Sequence, residues 1–84
     1  MNVIEKIMKQ MEVAKKVTDM ANEVDKLRNE AAIASTTAQI LRDQGKGTEA
    51  ELYSKVVESC YERATAIQKE AESLQDYYVN NLMF

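Results

Sequence analysis

The side chains of this sequence that could do chemistry are few. There is one thiol, Cys60, and no histidine. A nucleophilic or redox cysteine needs a neighbouring base or cation to hold its thiolate, and no imidazole is present to serve. Cys60 also falls in register with the apolar positions around it, so a buried, structural thiol is expected. One cysteine and no histidine cannot assemble the usual zinc or transition-metal ligand sets within a chain. The Glu-x-x-His pattern of carboxylate-bridged di-iron bundles is absent for the same reason. No cofactor and no metal are expected.

The carboxylates Asp19, Glu23, Asp25, Glu30, Glu58, Glu62, Glu70 and Glu72 fall mostly on outer helical faces. Glu5–Lys9, Glu12–Lys16 and Glu51–Lys55 have the i,i+4 order that supports a solvated helix. Acid–base catalysis would need a buried pair with perturbed acidities, and the pattern offers none. The expectation is therefore a protein that is not an enzyme. Gly45-Lys46-Gly47-Thr48 ends at a helix start, where backbone N–H groups attract anions. It lacks the first glycine of a phosphate-binding loop, and Gly47 separates Lys46 from Thr48, so it reads as loop and cap. Tyr53, Tyr61, Tyr77 and Tyr78 all lie in the second half of the chain. Tyr61 beside Arg63 could stack a base. The alternative function is therefore a small-molecule-binding oligomer that sequesters a nucleotide messenger. Its sites would lie between subunits, built from Tyr61, Arg63, Lys46, Ser35, Thr36 and Thr37.

The elements that would carry these residues are two helices. Proline is absent, and the two glycines of the 84 residues, Gly45 and Gly47, both interrupt mid-chain. Gly45 suits the left-handed residue that ends a helix. Thr48 and Glu51 have the spacing of a capping box for the next helix, and Asn2 with Glu5 repeats it at the first. Helix 1 is expected over residues 3–43, a turn over 44–48 and helix 2 over 49–81, in one domain. Val13, Val17, Met20, Val24, Leu27, Ala31, Ala34, Ala38 and Leu41 alternate spacings of four and three. Tyr53, Val57, Cys60, Ala64, Ile67, Ala71, Leu74 and Tyr78 do the same. These are the a/d seams of a coiled coil. Folding the chain at Gly45 places Leu41 opposite Tyr53, Ala34 opposite Cys60, Leu27 opposite Ile67, Met20 opposite Leu74 and Val17 opposite Tyr78. The small run Ala31–Ala38 then packs as a tight layer. The fold class is all-α, an antiparallel two-helix hairpin of coiled-coil type.

Two features exceed what one hairpin needs. Ala14, Ala21, Ala32, Leu52, Val56, Tyr61 and Ala66 lie off the seam and widen the apolar stripe. Ile4, Ile7, Met8 and Met11 are apolar but out of phase with it, and Leu82, Met83 and Phe84 are unusually apolar for the end of a sequence. The hairpin is therefore expected to complete a helical bundle as a homodimer or higher oligomer, or with a heterologous helical protein. Its interface would be Ile4, Ile7, Met8, Met11, Leu82, Met83 and Phe84. The methionines suit an adaptable surface.

The net charge is −3 and no basic patch is present, which argues against nucleic acid as a partner. No apolar run is long enough for a membrane span. Glu5 and Glu12 interrupt any signal-peptide core, so a cytoplasmic protein is expected, with signal-less export left open. In plan the hairpin resembles three groups: the hairpins of bacterial type VII secretion, the coiled-coil chaperones of type III secretion, and small helical phage proteins. The turn Gln44-Gly45-Lys46-Gly47-Thr48 has no tryptophan where the type VII hairpins often carry Trp-x-Gly. Asn81 and Leu82 stand four residues after Tyr77 and Tyr78 where those proteins carry an acid. The resemblance thus covers architecture alone and implies no site residues. The function expected is a non-enzymatic protein–protein interaction module: an adaptor, a chaperone or an inhibitor.

Overall fold

The computed structural model describes residues 2–82, with side chains described through Tyr78. Met83, Phe84 and the side chain of Leu82, expected at the interface, lie outside the described part. Two helices make up the fold: α1 (Val3–Asp43) and α2 (Gly47–Leu82). They pack antiparallel as a rod with extents of 64 × 15 × 12 Å.

α1 begins on a true cap. The Asn2 side chain accepts a hydrogen bond from the Glu5 backbone N–H at 2.8 Å, satisfying a donor that the first turn leaves without a helical partner. α1 ends at Gly45, whose φ of 77° places it in the left-handed region. The Gly45 N–H then bonds the Arg42 carbonyl at 3.0 Å, and the Lys46 N–H bonds the Leu41 carbonyl at 2.8 Å. This is the paired closure of a Schellman motif.

The second helix starts earlier than the sequence suggests. The Ala50 N–H already bonds the Lys46 carbonyl at 3.0 Å, so the turn is only Gln44, Gly45 and Lys46. Thr48 sits inside the first turn of α2 rather than ahead of it, and the Thr48–Glu51 capping box is not what begins the helix. The Schellman closure delivers the chain at Lys46 already aimed along α2, which leaves no room for a further capping residue.

The heptad seams meet. Val24, Leu27 and Ala31 of α1 form one cluster with Cys60 and Ala64 of α2, and Val57 and Ile67 pack against it. Towards the turn the seam narrows to alanine: Ala31, Ala34, Ala38, Ala50 and Ala64 are all buried. Small side chains let two helices approach closely, so this half is held by backbone proximity rather than by large knobs. Ala50 was not among the expected seam residues. It stands one step before Tyr53 in the same register and is fully buried. Tyr53, expected in the seam, is 42% exposed.

A candidate helix-docking face

Two cross-helix hydrogen bonds mark one flank of the hairpin. The Arg28 guanidinium donates to Gln68 Oε1 at 2.9 Å, and that of Arg42 donates to Ser54 Oγ at 2.6 Å. Ala14 and Ala21 occupy the same face of α1 as these arginines, at seven-residue intervals. Their side chains are too short to reach across. A groove of about 470 Å³ opens there, lined by Val13, Ala14, Val17, Thr18, Gln75 and Tyr78 among others. A second hollow of about 240 Å³ continues it from Val17 through Met20, Ala21 and Val24 to Arg28 and Gln68. The Arg28–Gln68 bond closes this groove on the side of the turn.

The N-terminal part of α1 feeds into this groove. Ile4, Ile7, Met11, Ala14, Thr18 and Ala21 are spaced 3-4-3-4-3, which defines a second apolar stripe beside the seam. Thr18 belongs to it in chemistry as well as position, because its hydroxyl donates to the Ala14 carbonyl at 2.8 Å and is satisfied within its own helix. Ile4, Ile7, Met8 and Met11 are 70%, 50%, 62% and 67% exposed. Ile4, Ile7 and Met11 of the four expected interface residues therefore lie in line with Ala14 and Ala21 beside the groove floored by Val13 and Val17, whereas Met8 lies off this stripe with Glu12 and Lys15 around it. By the seam alone Ala14 and Ala21 are off-register positions; the 3-4-3-4-3 spacing is the signal that joins them to Ile4, Ile7 and Met11.

A second exposed apolar patch lies at the other end of the rod on the opposite flank. Ile33, Ile40, Leu52 and Val56 are all at least 46% exposed there. Thr36 and Thr37 lie beside Ile33 and Ile40, and their hydroxyls donate to the Ala32 and Ile33 carbonyls at 3.0 and 2.9 Å. Ile33 and Ile40 were not singled out from the sequence, because each reads as an isolated apolar residue until the turn brings Leu52 and Val56 to the same level.

The residues of the alternative, ligand-binding reading do not converge within one chain. Ser35 and Tyr61 lie at one level, but Lys46 is in the turn, about 22 Å along the α2 axis from Tyr61 at helical rise. The hydroxyl protons of Thr36 and Thr37 are committed to their own helix. Cys60 is buried. Among the described residues, no group of three or more His, Cys, Asp or Glu side chains is placed to hold a metal ion. No described helix is long and apolar enough to cross a membrane.

Comparison of the chain with protein-family models, with curated proteins and with solved structures finds no match.

Proposed function

We propose that this chain is a helix-packing interaction module, non-enzymatic, that self-associates and receives an amphipathic partner helix along the face running from Ile4 to Ala21. The observation that carries this is the alignment of three exposed large apolar side chains, Ile4, Ile7 and Met11, with Ala14 and Ala21 beside an apolar groove. A helix laid there would present residues at i, i+3, i+4 and i+7 to the hollow beside Ala14 and Ala21, with the flexible Met11 beside it. Such a mode serves an adaptor, a chaperone or an inhibitor equally.

The area supports association. The chain exposes 6432 Å², whereas a compact monomer of its 9.5 kDa would expose about 5,000 Å². The excess is larger than the roughly 800 Å² that each partner contributes to a standard interface.

The test places a photo-crosslinking side chain at Ile7, and separately at Asp19 on the other side of α1, in cells that make the protein. A discrete adduct is expected from position 7 and not from 19, and it should vanish when Met11→Glu is added with helicity unchanged. Equal labelling at both positions, or an adduct indifferent to Met11→Glu, refutes the docking face.

A further inference from the structure

The outer face of α2, on the flank away from Arg28 and Arg42, carries a pattern that matches itself when reversed. We infer that a second copy of this chain docks there, α2 against α2, antiparallel. This rests on the reading of the chain as self-associating and supplies the surface for it, distinct from the Ile4–Ala21 face.

Every fourth then third residue from Leu52 to Tyr77 lies on this face, and all are exposed. Running two copies antiparallel sets Leu52 against Tyr77 of the second copy and Val56 against Ser73. The next layers set Ser59 against Glu70 and Arg63 against Ala66. Three of the four layers thus oppose a long side chain to a small one, as close helix packing requires. The outer two layers bring the large apolar groups, Leu52, Val56 and Tyr77. The inner two place Arg63 one layer from Glu70 of the second copy, so the polar residues within the stripe are matched in charge.

The rim beside this stripe decides the register. Lys55, Glu62, Lys69 and Asp76 are spaced seven apart and alternate in sign. In the register above, Lys55 flanks Asp76 of the second copy and Glu62 flanks Lys69, and the two-fold axis repeats each pair. Sliding one helix by a heptad in either direction destroys this. One slip sets Lys55 against Lys69 and Glu62 against Glu62; the other sets Glu62 against Asp76 and Lys69 against Lys69. The alternation therefore selects this register over its two heptad neighbours. Charges at such flanking positions choose partner, orientation and register in helix pairs.

The experiment is a charge swap read by sedimentation equilibrium over a dilution series of the full chain under reducing conditions. By symmetry, Glu62→Lys alone turns two attractions into two repulsions, as does Lys69→Glu alone. Each should weaken dimerisation about tenfold, since single surface pairs are weak but two lost attractions and two new repulsions add. Glu62→Lys with Lys69→Glu in one chain should restore the wild-type constant to within about threefold, by the same additivity. Circular dichroism of each variant checks that the hairpin is intact. Single swaps without effect, or a double swap that fails to recover, would overturn this docking surface while leaving self-association through another face standing. A wild-type chain that stays monomeric throughout would overturn both.

Discussion

The two glycines of the turn should respond to the same substitution with opposite signs. Gly45 has φ of 77°, and a Cβ built there meets nothing within 4 Å. The whole cost of Gly45→Ala is therefore the left-handed backbone, about 1–2 kcal/mol for a residue with a Cβ. Gly47 also has open space around its Cβ position, but it has no positive φ and is the first residue of α2. Gly47→Ala therefore only restricts the unfolded chain, and should stabilise by about 0.5 kcal/mol. For a domain of this size each kcal/mol moves the melting temperature by about 4–8 °C. Gly45→Ala should melt about 4–16 °C below wild type, and Gly47→Ala about 2–4 °C above it, by the same conversion. The assay is thermal unfolding followed by far-ultraviolet circular dichroism. Protein concentration is held fixed, because association raises the apparent melting temperature. Gly45→Asn should fall between Gly and Ala, since asparagine tolerates the left-handed region better than other side chains. If Gly45→Ala melts at or above wild type, the Schellman closure through Leu41 and Arg42 is not what ends α1, and the reasoning fails.

The remaining predictions concern the seam. Leu27 is 8% exposed within the central cluster, and Leu27→Ala should cost about 2–4 kcal/mol; a melting temperature within 3 °C of wild type, by the conversion above, would show that the layer collapses around the loss. Cys60 is 9% exposed, so its alkylation by a maleimide should proceed only through opening of the hairpin and slow in proportion to stability. Labelling as fast as that of an unfolded control would place the thiol outside the seam.

The heptad spacing was enough to read the hairpin and its central contacts, because a/d repetition on two segments leaves one way to fold them together. Val24, Leu27, Ala31, Cys60 and Ala64 follow directly from it. The start of α2 was misread because Thr48 and Glu51 satisfy a local capping pattern that the Schellman closure at Gly45 and Lys46 overrides. Ala50 extends the seam one step before Tyr53 and was missed because the expected start of α2 at residue 49 left it in the first turn. The candidate docking face was half legible: Ile4, Ile7, Met8 and Met11 stand out by composition. The groove needed the knowledge that Ala14 and Ala21 stand on the flank where the cross-helix bonds form. The patch of Ile33, Ile40, Leu52 and Val56 was not legible as a unit, since it joins residues from both sides of the turn.

The three-residue turn also sets how the molecule comes together in time. Residues next to it meet after closing a loop of only a few residues, an event of about 10–100 ns. Each further layer towards the open end adds little extra closure entropy. Formation should thus run as a zipper from the alanine layers at Ala38 and Ala50 outward, at the fast end of the range for helical proteins. Opening runs the other way, beginning at the groove between Val13, Val17 and Tyr78. The end of the rod proposed to receive a partner helix is also the end that parts first, so a partner helix could enter between the strands of the zipper without the turn ever letting go.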